Sequence, residues 1–144
     1  MKTIVYYISD YGFGHCTRSI AVIREIFAQA IEPIKMIVCH SYGVELLKVS
    51  LLGYEIEFKT ISTDVGYVLQ KDGMDIDKTL LKETFRSYMQ DFPSKVEKEK
   101  DFLIENKVDL VLSDISSLPF IAAKQLDILS VGISNLLGIP PMKI

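Results

Sequence analysis

Apolar runs alternate with helical patterns along the whole chain, the signature of βαβ units and a parallel sheet. Residues 3–9 are nearly all apolar, as in a strand covered by helices on both faces. Residues 10–15 predict a loop. After it Ile20, Ile23 and Phe27 fall on one helical stripe, with Arg24, Glu25 and Gln29 elsewhere. Pro33 punctuates the return to a second strand over residues 34–39. A short helix over residues 41–52 precedes a third strand, residues 54–59, in which apolar and charged positions alternate. That strand has one wet face or lies at a sheet edge.

Residues 61–76 form a long connection of the kind that is usually functional or mobile in a compact domain. Leu81, Phe85, Tyr88, Phe92 and Val96 then recur at helical spacing and predict a stripe facing the sheet. Pro93 should kink that helix or divide it, and Ser94 with Glu97 offers a capping box for a restart. A fourth strand over residues 108–113 leads into Asp114 and a serine-rich turn, where Ser116 or Ser117 can cap a helix with Pro119 in its first turn. The fifth strand spans residues 128–133, and residues 134–144 read as irregular.

Four strands read as buried and the third as an edge. The expected fold is α/β, a single three-layer Rossmann-like domain over residues 1–144, with a mainly parallel sheet ordered 3-2-1-4-5 and helices on both faces. Such a sheet has a switch point between strands one and four, and ligands bind at the carboxyl ends of strands there. The loops at residues 10–15 and 114–117 would meet at that crevice.

Composition agrees with a folded domain: 49% of the 144 residues are hydrophobic and 24% charged, unlike a disordered chain. A net charge of −3 leaves no electrostatic footprint for nucleic acid. The mixed-charge run over residues 95–101 reads as the solvated face of a helix. Cys16 and Cys39 have no metal-ligand spacing and read as reduced thiols, which with a start that lacks a signal-peptide layout suggests a cytoplasmic protein. No apolar stretch approaches the roughly 18–20 residues needed to span a bilayer; peripheral membrane contact stays open.

Gly12-Phe13-Gly14-His15 lies between a strand and a helix, so backbone can come close to a ligand and the helix N-terminus favours an anion. Thr17 stands where the dinucleotide fingerprint needs a third glycine, and Cys39 and His40 stand where an acidic residue should end the second strand. A Walker-type lysine is missing too. A histidine titrates near neutral pH and can take a proton from a hydroxyl nucleophile, so His15 is a candidate base; capping or ordering the loop is its plain alternative. In the expected sheet Asp114 could reach His15 and fix its tautomer, although a loop aspartate more commonly bonds local backbone. Asp10 and Tyr11 border the crevice, and Arg18 could help hold a phosphate or simply be solvated. His40 reads as structural. The aspartates at 64, 72, 75 and 77 do not follow a calcium-loop spacing, and nothing in the sequence requires a metal or cofactor.

Residues 8–19, from Ile8 through Gly12-Phe13-Gly14-His15 to Arg18 and Ser19, resemble the opening segment of nucleotide-sugar-dependent glycosyltransferases of the GT-B fold. The similarity is strongest to the bacterial and archaeal group related to the peptidoglycan and glycolipid sugar transferases. Leu112-Ser113-Asp114 before a proline-containing helix, and Val131-Gly132-Ile133-Ser134-Asn135, resemble later segments of that group. The proline is shifted here, to Pro119. The resemblance covers nearly the whole chain and implies the acceptor-side, N-terminal domain of such an enzyme. It implies His15 as base and Asp114 as its support. Asp10, Tyr11, Gly12, Phe13, Gly14 and Arg18 would lie around the substrates.

A nucleotide-sugar would then be co-substrate rather than cofactor, an acceptor small molecule or lipid the second partner, and a donor-binding domain would be supplied in cis or in trans. The long connection with Phe85 and Tyr88 could form the acceptor side, although aromatics on a helix more commonly pack as core. Two other functions fit the same sequence: a non-catalytic subunit of a split glycosyltransferase, and a stand-alone flavodoxin-like ligand-binding module. Against the last stands the lack of an acidic cluster after the first strands, where only Ser9-Asp10 is found.

Overall fold

The computed structural model describes residues 1–10, 12–66 and 68–134. Five strands form one parallel sheet in the expected order: β1 (Lys2–Ile8), β2 (Ile34–His40), β3 (Ile56–Thr60), β4 (Leu110–Asp114) and β5 (Leu129–Ile133), arranged β3-β2-β1-β4-β5. Four helices connect them: α1 (Phe13–Gln29), α2 (Val44–Ser50), α3 (Lys78–Glu105) and α4 (Leu118–Gln125).

The continuous apolar run of β1 is explained by two cores, one on each face. Ile4, Tyr6 and Ile8 point to one side and pack with Cys16, Ile20 and Ile23 of α1 and Leu47 of α2. Val5 and Tyr7 point to the other and pack with Val96 and Leu103 of α3 and Leu118, Ala122 and Ala123 of α4. The period of two along a strand thus sorts one sequence run between two helical layers.

Several expectations need correction. β3 is an edge, as its alternation suggests, but β5 is the opposite edge and is not buried: Leu129 and Val131 are exposed. α1 starts at Phe13, so residues 13–15 are helix rather than loop. α3 runs through Pro93 as one helix of 28 residues. Pro93 is exposed, so the carbonyl its ring leaves unpaired can turn to water, and no restart is needed. Ser94 accordingly bonds back to the Asp91 carbonyl instead of capping.

Only the C-terminal part of the α3 stripe reaches the sheet. Val96 is buried and Phe92 partly so, whereas Phe85 is exposed. The charged run on α3 is not wholly solvated either, because Glu99 is buried. Its carboxylate accepts from the Tyr7 hydroxyl and from Lys59 Nζ, and Lys59 also lies over the Phe102 ring. A buried charge without such partners would be strongly unfavourable.

Candidate functional site

β1 and β4 end side by side, with Ile8 in register with Asp114. The chain leaves β1 toward β2 and leaves β4 toward β5, so the loops after them part and open the crevice. Gly12 sits at the turn from β1 into α1 with φ 74°, a left-handed conformation that a side chain would strain. That turn places His15 in the first turn of α1, over the end of β4. His15 Nδ1 lies 2.7 Å from Asp114 Oδ2, and the Asp114 side chain is fully buried. One helical turn on, Arg18 Nη2 donates to the other carboxylate oxygen, Oδ1.

A carboxylate only accepts, so in the contact with Asp114 the imidazole donates from Nδ1. Asp114 thus holds the imidazole through one carboxylate oxygen and Arg18 through the other, and Arg18 Nη2 also lies 3.2 Å from His15 Nδ1. The turn after Asp114 is braced. Ser113 Oγ donates to the Ser116 carbonyl at 2.8 Å, and the Ser116 amide donates to the Asp114 carbonyl at 3.0 Å. Ile115 between them has φ 74°, which is unfavourable for a β-branched residue and is the sort of local strain that accumulates at functional sites. Ser117 occupies the N-cap position of α4 without a side-chain cap bond, and Ser116 Oγ bonds to the Thr63 carbonyl. Neither hydroxyl is the expected cap.

The remaining candidates separate. Gly14 has open space where a Cβ would be, so ligand can approach the α1 N-terminus there. Phe13 is half-exposed and stacks at 5.1 Å on Tyr42. Asp10 is turned to the β2–α2 connection: its Oδ1 accepts from the Ser41 and Tyr42 amides at 2.9 and 3.1 Å, and its Oδ2 from Ser41 Oγ at 2.6 Å. Tyr11 and Asn135 lie outside the described residues.

His40 closes β2 as a strand residue and is buried. Its Nδ1 is 3.0 Å from both the Ile8 carbonyl and Asp10 Oδ1, and its Nε2 is 3.1 Å from Cys16 Sγ. Burial alone would push the Asp10 carboxyl up, but the hydrogen bonds from His40 and Ser41 outweigh it and hold the group well below the usual carboxylate range. His40 is held above its ordinary value, because its bond to Asp10 outweighs the loss of solvation.

Sequence reasoning passed over Asp64, weighed only as a calcium ligand. Ser9 Oγ donates to its Oδ2 at 2.5 Å, and it lines a cavity of about 570 Å³ with Val65, Leu81, Phe85, Ile115 and Ser116. Its position in a long connection was the available signal; its proximity to β1 depends on tertiary structure. Among the described residues no cluster of histidine, cysteine and carboxylate side chains could hold a metal ion, and no helix is long and apolar enough to cross a membrane.

Sheet order, helical layers and the crevice together define the fold of an N-terminal domain of a GT-B glycosyltransferase. The chain superposes on MurG of Acinetobacter baumannii with a TM-score of 0.59 and 15% identity, over 93% of this chain and 35% of that one. It is similar to CalG4, the calicheamicin glycosyltransferase, with a TM-score of 0.56 and 16% identity, over 99% and 35% of the two chains. A third likeness is to UGT2 of Phytolacca americana, solved with UDP-2-fluoro-glucose and pterostilbene, with a TM-score of 0.56 and 11% identity over 92% and 30%. The chain thus spans about a third of the length of these structures. No family model and no curated protein matches it.

Proposed function

We propose that this chain is the acceptor-side domain of a glycosyltransferase that moves a sugar from a nucleoside-diphosphate-sugar to an acceptor hydroxyl with inversion. The observation that carries the proposal is the 2.7 Å contact of His15 Nδ1 with the buried Asp114 carboxylate, at the crevice of a GT-B-like domain. His15 Nε2 takes the proton of the acceptor hydroxyl as its oxygen attacks the anomeric carbon. The bond from that carbon to the diphosphate breaks, and the nucleoside diphosphate leaves with the electron pair. Asp114 stabilises the imidazolium formed. A single displacement of this kind inverts the anomeric centre. Gly12–Gly14 at the start of α1 favour the negative charge that builds on the leaving diphosphate. The donor-binding half would come from a further domain or from another chain.

His15→Ala in the native-length protein, assayed for nucleoside diphosphate release from UDP-glucose and UDP-N-acetylglucosamine with a hydroxyl acceptor panel, should lose about 10²–10⁴-fold in rate. An unchanged rate sinks the reading. Because the chain spans about a third of its structural likenesses, a split enzyme is the second reading. Immunoblot and intact mass separate the two: a product of 144 residues with a co-purifying partner supports a split enzyme, a longer one a donor half in cis.

A further inference from the structure

The cavity beside the His15 centre has a chemistry of its own. At about 570 Å³ it is within the usual size of a small-molecule site. Val65, Leu81, Phe85 and Ile115 make most of its wall apolar, and Asp64 is the one carboxylate among its described lining residues. That carboxylate is fixed from behind. Ser9 Oγ donates to Oδ2 at 2.5 Å, while the Asp10 amide reaches Oδ1 only at 3.5 Å, too far for a good bond. The preceding residue is clamped as well: the Thr63 carbonyl accepts from the Tyr88 hydroxyl at 2.8 Å and from Ser116 Oγ at 2.9 Å. Asp64 is thereby held between the end of β1, α3 and the turn after β4, the turn that also carries Asp114.

A carboxylate with one weakly engaged oxygen against apolar walls calls for a donor from a ligand, since leaving it unpaired is costly. Burial accordingly pushes the Asp64 carboxyl up, against the opposing pull of Ser9. An ammonium donor is disfavoured because Lys78 and Lys82 line the same cavity. A neutral hydroxyl fits.

We propose that Asp64 is a specificity-determining residue for the acceptor. Its Oδ1 accepts a hydrogen bond from a hydroxyl neighbouring the one that His15 deprotonates, while an apolar part of the same molecule lies against Leu81, Phe85 and Ile115. The acceptor class is then a polyhydroxylated molecule carrying an apolar group. The inference rests on the glycosyltransferase reading for the identity of the site, but its test is a binding measurement independent of transfer.

Native-length protein is titrated calorimetrically with phenyl β-D-glucopyranoside, which has a ring and several hydroxyls, and with benzyl alcohol, which has a ring and one. Asp64→Ala should weaken the glucoside by about tenfold or more and leave benzyl alcohol unchanged. Equal glucoside binding by the variant, equal loss of both ligands, or no saturable glucoside binding by the wild type overturns the proposal. Should Asp64→Ala fail to fold, Asp64→Asn, which keeps an oxygen for Ser9, decides it by the same selective loss. Persistent transfer by His15→Ala would end the reading of His15 as base. No transfer by the wild type would end the glycosyltransferase reading, whereas the Asp64 result stands or falls on the two affinities.

Discussion

Two histidine–aspartate pairs stand at the same edge of the sheet and serve different ends. His15 with Asp114 bridges α1 and the end of β4, and its imidazole is partly open to the crevice. His40 with Asp10 bridges β2 and the loop after β1; its ring is closed in by Ile8, Cys16 and Gly43. In both, a carboxylate fixes the ring. What differs is exposure. The His15 side chain is 18% exposed at the crevice, while His40 is buried with its Nε2 3.1 Å from Cys16 Sγ. On the proposed reading the same pair chemistry serves as a base in one place and as a structural tie in the other, and burial makes the division.

The sharpest way to break this comparison is to remove each ring in turn. His15→Ala should abolish most transfer, by about 10²–10⁴-fold, with a smaller loss of stability, about 1–3 kcal/mol, because buried Asp114 loses one partner and keeps Arg18. His40→Ala should do the reverse: a loss of about 2–5 kcal/mol in stability from the cavity, with transfer retained by the folded fraction. Denaturant unfolding and rate measured on both variants check it. If His40→Ala lost rate without stability, the two pairs would not be separable.

Gly43 tests how tightly the structural pair is packed. A Cβ there would come 2.8 Å from Cys16 Sγ and 3.3 Å from His40 Nε2. Gly43→Ala should destabilise by about 1–3 kcal/mol, and Cys16→Ala in the same chain should return part of it, because the sulfur is the closest obstacle. Strict additivity in denaturant melts of the single and double variants would show that the site relaxes and that the tie is loose.

The fold was legible because local pattern and topology agree. The unbroken apolar run of β1 demands helices on both faces, and the wet alternation of β3 demands an edge, which together leave few strand orders. Pairing His15 with Asp114 followed from that order, since both flank the switch point. The roles of Asp10 and Asp64 did not. Asp10 looked like a crevice residue because it follows β1, yet the Ser41 and Tyr42 amides and His40 draw its carboxylate to the opposite side. Asp64 meets Ser9 across 55 positions of sequence, a contact that no periodicity encodes. Phe85 shared the stripe of Val96, but α3 extends beyond the part of the sheet it covers, so spacing alone could not separate cavity wall from core.

The smallest expected effect is a drift of stability with pH, and it sharpens the comparison most finely. In the folded chain His40 titrates above its ordinary value, so the folded state holds that proton more tightly than the unfolded one. The associated stability is fully present below the unfolded value near 6.5 and is lost as pH rises through the folded one. Asp10 is shifted down, so its contribution is present above the ordinary value of 3.8 and is lost as pH falls. Between those two limbs the ion pair is at its strongest. Asp10→Asn should flatten the fall above pH 6.5, because an uncharged amide no longer favours the imidazolium. Only two histidines are present in the chain, and the variant leaves His15 and Asp114 untouched. The difference between the two denaturant-midpoint curves from pH 6 to 9 therefore reports on His40. Parallel curves would mean that Asp10 ties the loop through hydrogen bonds to an uncharged His40, and that the division between the two histidine–aspartate pairs rests on burial alone.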